Sequence, residues 1–534
     1  MKTVPGEEFA DRSGGSGARK RALLSGFARS RHALLSPATG WLVVGILMCV
    51  AAFLTTHAIG AKSLWLDEAL SARIAQFDPA DGVSATYSTP TPGAIALYYV
   101  LLHFWSAVSS DETWLRLLSA ICAVAAIPLV YLLGTRLIGR AAGVTAATVV
   151  ALSPFVVAYS QQARPYTLVI LLSTALTLIF YSAMKGGGLR IWLLYAVAAI
   201  AGLYAHTTVA YLIAAQGGVA GVDLILFRRH SFPTIASRVA AGAIIVLACL
   251  PLIGQFSAAG LAGVPPPTIQ NVGVTLYHLT GGTTLLAVTG VGILAIPFVG
   301  WSWLRRGRGL EFSILIAASV APIALELLVS LQRPMFIERY LAMAVPGLAL
   351  VIASAVELLS ALRLTFSSTV ARPSPRSSTI VRVAALALIV VLALRSVGVV
   401  YTGWEEQWRN AVEMVAAEAQ PGDAVVVYPG YARLPFDYYA SKQSIFQDVV
   451  PVFPSVSWGQ YFPAAGPSLE TSLSDAKRTG RVWLVYQSGD GVGIGDAKLL
   501  ASYTSCGTIQ SESDFPGVKV VLMDFPATPC EATK

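Results

Sequence analysis

Long apolar runs separated by short basic segments fill most of this chain. A helix needs about 20 apolar residues to cross the hydrocarbon core of a bilayer, and runs of nearly that length recur from residue 38 to residue 401. Of all 534 residues, 55% are hydrophobic and 12% are charged, whereas a typical soluble domain carries about 25% charged residues. The pattern therefore predicts a polytopic α-helical membrane protein.

The basic segments indicate how these runs are oriented. Lys and Arg concentrate in the cytoplasmic loops of membrane proteins. One arrangement of eleven helices places every basic turn inside, with the N-terminus inside and the C-terminal region outside. The net charge of +8 belongs to these turns, so it does not indicate a nucleic-acid partner. The predicted transmembrane helices cover residues 38–60, 114–137, 141–159, 166–184, 191–204, 209–227, 239–256, 285–304, 312–331, 340–362 and 381–401.

Two polar segments flank the first predicted helix. Residues 1–37 combine basic residues with Gly and Ser, which predicts a disordered basic cytoplasmic tail. The outer loop at 61–113 contains an apolar stretch, 94–108, that is short for a crossing, and we predict that it forms a helix on the outer membrane surface. The residues of this stretch that suit an interface are Tyr98, Tyr99, His103 and Trp105.

After residue 401 the composition becomes that of a soluble domain. We therefore predict a transmembrane domain over 38–401 and a small extracytoplasmic α/β domain over 402–534. Cys506 and Cys530 lie in the second domain, and the sequence leaves open whether they form a disulfide. The expected elements are a helix at 404–418 and strands at 424–428, 482–486 and 518–524.

The predicted orientation gathers polar residues on the outer face. Asp67 and Glu68 come directly after the first helix. An unpaired carboxylate in hydrocarbon costs several kcal/mol, so the pair is expected at the aqueous edge or in a polar cavity, unless it forms an ordinary loop or a helix N-cap. Ionisable groups that converge on one membrane face indicate a site that opens outward. Other members of this set are Arg116, Tyr159, Arg164, Tyr166, His206, His278, Arg333, Glu338, Arg339 and Tyr340.

Several of these residues belong to short motifs that follow one another in a fixed order. The motifs are Asp67-Glu-Ala69, Arg116-Leu-Leu-Ser119, Ser153-Pro-Phe-Val-Val-Ala-Tyr159, Ala163-Arg-Pro-Tyr166, Tyr204-Ala-His-Thr207 and Glu338-Arg-Tyr340. In this order they resemble the family 39 branch of the GT-C membrane glycosyltransferases, which includes protein O-mannosyltransferases and the aminoarabinose transferases that act on lipid A. The resemblance covers roughly residues 41–362.

The resemblance implies a polyprenyl-phosphate sugar as donor and an acidic residue of the first outer loop acting at the acceptor. The implied general base is Asp67, with Glu68 as its neighbour; both are predicted catalytic residues, and the sequence leaves open which of the two is the base. The family also tends to carry a His-Pro-Pro stretch later in this loop, where this chain has Thr89-Pro-Thr-Pro-Gly93. This departure puts any role of that His in doubt and is compatible with a different class of acceptor.

The chemistry of such a transfer suits the residue types present. Inverting attack on the anomeric carbon needs one base to take the proton of the acceptor hydroxyl. The leaving phosphate needs positive charge, and the guanidinium fork of Arg matches phosphate oxygens. The predicted phosphate-binding residues are Arg339 and Arg164, followed by Arg333 and Arg116, and the supporting residues are His206, Tyr340, Glu338 and Tyr166.

Simpler interpretations of these residues are open. Arg339 could form an interfacial ion pair with Glu338, Arg164 could cap the outer end of a helix, and His206 could be a hydrogen-bonded helix-end residue. Tyr159 and Tyr166 fit the aromatic belt of a membrane interface. The sequence indicates no metal site, although it leaves open a divalent cation held by carboxylates.

The sequence thus predicts a glycosyltransferase on the outer side of the plasma membrane. Mannose is the first expected sugar, the acceptor is a glycolipid, lipoglycan or protein, and the Arg- and Ala-rich composition suits a high-GC actinobacterium. The alternative is a membrane transporter or lipid flippase, which would have internal repeats, discontinuous helices and ionisable groups near the midplane; Glu326 is such a mid-helix acid. A third possibility is a receptor, whose C-terminal aromatic residues would stack on sugars instead of forming a core.

Overall fold

The computed structural model describes residues 36–88, 96–226, 231–253, 264–366, 375–403, 406–453, 479–488, 501 and 507–525. Several sequence predictions lie outside these residues. They concern the basic tail up to residue 35, the stretch Thr89 to Gly93, the start of the helix at 404–418, and the cysteines Cys506 and Cys530.

Helices form the described part of the chain up to residue 403. They are α1 (Pro37–Thr56), α2 (Leu66–Ile74), α3 (Pro79–Ser88), α4 (Ala96–Ser106), α5 (Glu112–Leu137), α6 (Arg140–Ala151), α7 (Pro154–Ser160), α8 (Tyr166–Met184), α9 (Leu189–Ala205), α10 (Val209–Leu226), α11 (Phe232–Cys249), α12 (Ile269–Thr280), α13 (Thr283–Leu294), α14 (Ile296–Leu304), α15 (Gly309–Ala318), α16 (Val320–Ser330), a 3-10 helix (Glu338–Ala344), α17 (Val345–Phe366) and α18 (Pro375–Thr402).

Each predicted transmembrane helix coincides with an apolar segment of this bundle. Seven segments are long and apolar enough to cross a membrane, and two more are bent pairs, α6 with α7 and α15 with α16. The shorter apolar helices α9 and α10 coincide with the two remaining predictions. The chain is therefore a polytopic helical membrane protein, while the total of eleven crossings stays a prediction.

The structure differs from the prediction where two expected straight helices are bent. The α6–α7 pair bends by 50° before Pro154, whose ring cannot donate a helical hydrogen bond, and the Ser153 side chain instead caps α7 by accepting from the Val156 N–H. The α15–α16 pair bends by 42°. Pro322 has no N–H to offer the Ala318 carbonyl one turn earlier, so the hydrogen-bond ladder is interrupted there.

Two segments between predicted transmembrane helices differ from the expectation. Helix α12 lies between the predicted helices at 239–256 and 285–304, where no helix was predicted. The predicted surface helix is present as α4, but the expectation that Tyr98 and Tyr99 lie at the interface is wrong, because both are buried against the bundle. Leu101 and Phe104 form its exposed face instead.

The C-terminal region contains the predicted small α/β fold. Its sheet has the strand order β2-β1-β3-β5-β4, in which β1 pairs in parallel with β2 and β3, and β5 pairs antiparallel with β3 and β4. The predicted strands correspond to β1, β3 and β5, whereas β2 and β4 were not predicted. The elements are α19 (Trp408–Glu418), β1 (Ala424–Tyr428), α20 (Arg433–Ala440), β2 (Val450–Phe453), β3 (Arg481–Gln487), β4 (Thr508–Phe515) and β5 (Val518–Asp524).

The aromatic residues of this domain mainly form its core. Phe436, Tyr438 and Tyr439 on α20 are buried, whereas Tyr431 is exposed. The core interpretation therefore holds for α20. Trp458 and Tyr461 lie outside the described residues.

Gly347 allows α17 to approach the bend between α15 and α16. A Cβ atom at this position would lie 1.9 Å from the Ala318 carbonyl oxygen. We expect Gly347→Ala to destabilise the protein by roughly 1–3 kcal/mol, because backbone must move to relieve the overlap. Thermal unfolding of the purified protein in detergent measures this effect.

Gly290→Ala is the matched control, because Gly290 also lies inside a helix, α13, and a Cβ there would meet no atom within 4 Å. We expect this variant to unfold at the wild-type temperature or slightly above it. Equal unfolding temperatures for the two variants would contradict the close approach of α17.

Candidate active site

Arg116 on α5 holds the segment that leads from α1 into α2. Its guanidinium group donates to both carboxylate oxygens of Glu68, with an Nε–Oε1 distance of 2.8 Å and an Nη2–Oε2 distance of 2.7 Å. Both residues are buried, with 1% and 0% of their surface exposed. The Ala163 N–H also donates to Glu68 Oε1, at 2.8 Å. The remaining guanidinium hydrogen bonds go to the backbone carbonyls of Ile59, Lys62 and Ser63.

This geometry argues against two predicted roles. The guanidinium group of Arg116 already donates at every nitrogen, so it has no hydrogen bond left for a donor phosphate. Glu68 is closed off from solvent, so it cannot meet an acceptor hydroxyl. We correct both assignments: Arg116 and Glu68 form a structural ion pair that positions the outer segment.

Asp67 lies in the first turn of α2 and points away from Glu68, because consecutive helical residues face different directions. Its side chain is 20% exposed, and its Oδ2 lies 3.4 Å from Nη2 of Arg164. Nη1 of Arg164 also donates to the Asp67 backbone carbonyl, at 3.2 Å. Arg164 therefore pairs with the predicted base instead of merely capping a helix. Further contacts of Arg164 go to the hydroxyl groups of Ser71, Tyr99 and Tyr166.

Arg339 provides a second positive charge at the same place. It makes no hydrogen bond or ion pair with the described residues, and its guanidinium carbon lies 5.9 Å from the ring centres of both Trp65 and Tyr340. The charge of Asp67 acts on it. The interfacial pair with Glu338 is not observed, because Glu338 accepts a hydrogen bond from the Tyr159 hydroxyl at 2.9 Å.

Aromatic rings surround the two arginines. Tyr166 lies 4.9 Å from Tyr159 and 6.0 Å from His206, and His206 lies 4.9 Å from Tyr340, measured between ring centres. The predicted supporting residues are thus brought together around Arg164 and Arg339. Arg333, in contrast, is exposed on the segment after α16, outside this buried cluster.

His206 is held as a neutral side chain at the C-terminal end of α9. Burial, together with the positive charges of Arg164 and Arg339, lowers the pKa of His206 to about 3. Its Nδ1 accepts from the backbone N–H of Thr208 at 3.3 Å, so the ring proton lies on Nε2. His206 can therefore donate a hydrogen bond from Nε2, and a neutral imidazole adds no charge to the cluster.

Several buried polar atoms in this cluster have no hydrogen-bond partner among the residues that the structure describes. Such atoms are rare in folded proteins, because each costs about 1–3 kcal/mol when it is left unpaired. Two of them are the Nε–H groups of the arginines themselves, which are strong donors for an anion. The atoms concerned are Trp65 Nε1, Gln162 Oε1, Arg164 Nε and Arg339 Nε.

Glu406 of the C-terminal domain reaches the start of α2. Its carboxylate accepts from Trp408 Nε1 at 2.7 Å and from the side chain of Gln487, and it faces the backbone N–H of Leu66. Burial, together with the nearby charge of Asp67, holds the pKa of the Glu406 carboxyl above its usual range. Sequence analysis missed this residue, because Glu406 is distant from Asp67 along the chain and its spacing carries no signal.

The C-terminal domain also contacts residues 60–66, the segment that leads from α1 into α2. Arg409 forms an ion pair with Glu112 and donates from its backbone to the Ser63 hydroxyl, at 3.2 Å. The Tyr439 hydroxyl accepts from the Leu64 N–H, at 2.7 Å. Residues 60–66 are thus held by Arg116 of the helical bundle and by α19 and α20 of the C-terminal domain. Asp67 follows this segment directly and therefore lies between the two domains.

No group of three or more His, Cys, Asp or Glu side chains that could hold a metal ion occurs in the described ranges. The divalent cation that the sequence left open therefore stays a prediction.

Comparisons with known proteins agree with this architecture. A family described as dolichyl-phosphate-mannose-protein mannosyltransferase matches residues 93–254. Among solved structures, ArnT from Cupriavidus metallidurans superposes with a TM-score of 0.57 when bound to undecaprenyl phosphate, at 12% sequence identity and covering 91% of this chain and 98% of that one. Its apo form superposes with a TM-score of 0.56 at 13% identity, with the same coverage of both chains.

A more distant protein has a related architecture. The oligosaccharyltransferase of Archaeoglobus fulgidus in its apo form superposes with a TM-score of 0.50 at 14% identity, covering 89% of this chain and 73% of that one. No curated protein matches in sequence. The solved structures thus share the fold of this chain at 12–14% sequence identity, and the family model matches the part of the chain from residue 93 to residue 254.

Proposed function

We propose that this chain transfers a sugar from a polyprenyl-phosphate donor to an acceptor hydroxyl on the outer face of the plasma membrane. The observation that carries the proposal is a partly exposed carboxylate, Asp67, beside two guanidinium groups whose buried Nε–H donors have no partner among the described residues. A transferase of this type needs one base and one phosphate site close together. Arg164 and Arg339 provide the phosphate site.

Asp67 acts as the general base in this proposal. Its carboxylate takes the proton from the acceptor hydroxyl while the hydroxyl oxygen attacks the anomeric carbon, and the bond from that carbon to the phosphate oxygen breaks. Attack from the side opposite the leaving group inverts the anomeric centre. Arg164 pairs with Asp67 at 3.4 Å and so fixes the direction of the carboxylate.

Arg339 is the main contact of the leaving phosphate. It is the guanidinium group without an ion pair in the described cluster, so a phosphate can occupy its donors without displacing a protein carboxylate. The charge that develops on the departing phosphate oxygen is stabilised by Arg339 and by the free Nε–H of Arg164. A neutral His206 leaves both arginines available for this purpose.

The identity of the donor rests on comparison and chemistry together. The description of the matching family names dolichyl-phosphate mannose, and the ArnT structure is bound to undecaprenyl phosphate. These findings support a polyprenyl-phosphate donor, with mannose as the first sugar to test. The acceptor is a glycolipid, lipoglycan or protein, whose hydroxyl group would approach the partly exposed carboxylate of Asp67.

A transporter or flippase is the second candidate, since two helices are bent and Glu326 is buried within α16. A transporter places its ionisable groups near the midplane. Here Asp67, Arg164 and Arg339 instead lie together where the loops join the helices, next to the C-terminal domain. This placement favours chemistry at the membrane surface.

Asp67→Asn tests the base. The change keeps the shape of the side chain and removes its basicity, so we expect sugar transfer to fall by roughly 10²- to 10⁴-fold while the protein stays folded. Transfer of radiolabel from polyprenyl-phosphate mannose in membranes, at equal expression, measures it. Asp81→Asn, an exposed acid on α3, is the control and should keep full activity. Equal transfer by both variants would refute the role of Asp67, and no transfer by the wild type would direct the test to another donor sugar.

Arg339→Gln tests the phosphate site. Loss of charge-assisted hydrogen bonds worth about 1.5–3 kcal/mol each predicts roughly 10- to 100-fold weaker inhibition by the product lipid, polyprenyl phosphate. Arg333→Gln, at the exposed arginine of the preceding segment, is the control and should leave inhibition unchanged. The opposite ranking of these two variants would move the phosphate site to the exposed loop.

Glu406→Ala tests the contribution of the C-terminal domain. The variant loses the carboxylate that faces the start of α2, so we expect kcat to fall roughly 10-fold with little change in KM for the donor, because only the placement of Asp67 is disturbed. Glu406→Gln keeps an oxygen acceptor and should recover much of kcat. Glu413→Ala, an exposed acid of α19, is the control. An unchanged kcat in Glu406→Ala would show that this contact has no catalytic consequence.

A further inference from the structure

Glu326 on α16 is a buried acid that the proposed base and phosphate site do not use. It has 0% of its surface exposed, and within the described ranges neither carboxylate oxygen has a hydrogen-bond partner. An unpaired carboxyl in such a place costs several kcal/mol. A purely structural position would be filled at lower cost by an apolar side chain, so the acid points to a role in binding.

A second unpaired group lies one helical turn from it. The Ser330 hydroxyl, four residues later on the same face of α16, is also fully buried and without a partner. A serine in a helix can bond the carbonyl one turn back, as Ser319 does with Leu315 at 2.6 Å, but Ser330 does not do so. Two neighbouring polar side chains on one helix face are thus left unpaired.

Tyr211 completes this polar group from the adjacent helix. Helix α10 packs on α16, and the charge of Glu326 acts on the Tyr211 hydroxyl. That hydroxyl donates only to the sulfur of Met335, at 3.8 Å, which is a weak acceptor. One carboxyl group and two hydroxyl groups therefore lie between α10, α16 and the segment before the 3-10 helix. Each of them makes a weak hydrogen bond or none with the described residues.

The group borders the proposed active site. Helix α16 and the first residues of α10 both pack on the 3-10 helix that carries Arg339, and α10 begins three residues after His206 in the chain. Glu326 lies about 6 Å below the outer end of α16, given a rise of about 1.5 Å per residue. The 3-10 helix therefore connects Arg339, the proposed contact of the donor phosphate, with the helix that carries Glu326.

We infer that Glu326, Ser330 and Tyr211 bind hydroxyl groups of the donor sugar. The inference rests on the proposed function and deepens it, because it assigns a sugar site beside the phosphate site. A sugar ring presents hydroxyl groups that both donate and accept, and a carboxyl flanked by two hydroxyls can satisfy several of them at once. An inorganic anion is excluded as the ligand by the acid, and an apolar lipid chain would leave all three groups unpaired.

The test compares binding of two lipids that differ only in the sugar. The full-length Asp67→Asn protein in lipid nanodiscs keeps the donor intact, and its affinity is measured for polyprenyl-phosphate mannose and for sugar-free polyprenyl phosphate. Adding Glu326→Leu should weaken binding of the mannose lipid by roughly 10- to 100-fold, as expected for a lost hydrogen bond to an acid, and leave binding of the sugar-free lipid unchanged. Glu326→Gln should have a smaller effect in the same direction and serves if the leucine variant fails to fold.

Glu357→Gln is the control, because this acid of α17 is paired with Arg382 and should affect neither lipid. Equal weakening for both lipids, no change for either, or no preference of the parent protein for the mannose lipid over the sugar-free one would each overturn the inference. Failure of the proposed function is seen separately, as absence of transfer by the protein with Asp67 intact. A preference for the mannose lipid that depends on Glu326 would support the sugar site even in that case.

Discussion

The buried pair of Arg116 and Glu68 is the interaction on which the outer end of this bundle depends. An ion pair removed from water is favourable only when all of its hydrogen bonds are made, and here the guanidinium group uses its remaining donors on three backbone carbonyls. Removing either partner would leave an uncompensated charge in the core, which typically costs about 3–5 kcal/mol. The pair fixes the backbone on both sides of Asp67, and so determines where that carboxylate points.

Adjacent acids therefore have separate roles. Glu68 is buried and fixes the backbone through its ion pair with Arg116, while Asp67 is partly exposed and lies beside Arg164. The second domain adds to this arrangement from above, because Arg409, Tyr439 and Glu406 contact the same short segment. A segment held on two sides keeps Asp67 in one position, and such preorganisation is what base catalysis requires.

The sharing of a fold at very low sequence identity has a physical explanation. The ArnT comparison gives a TM-score of 0.57 at 12% identity, and helix packing in a bilayer needs only apolar surfaces, small residues at close approaches and satisfied backbone groups. Gly347 against Ala318 is one such close approach. The polar residues are under a different constraint, because each buried one needs a partner or a ligand. Glu326 and Arg339 therefore carry more functional information than the apolar helices around them.

The sequence by itself determined the elements whose signal is local. Hydropathy and charge located the membrane helices, because each of them must be apolar over its own length, and short apolar runs between Gly and Pro turns located β1, β3 and β5. The ordered motifs also indicated Asp67, Arg164 and Arg339, which the fold brings together in one cluster. Only the tertiary structure decided which acid is buried, since Glu68 and Arg116 are 48 residues apart and their pairing leaves no periodic trace. The same holds for Glu406, which meets α2 from the other domain. A helix or strand forms because of the residues it contains, whereas a site depends on hydrogen bonds and ion pairs between side chains that are distant in the sequence.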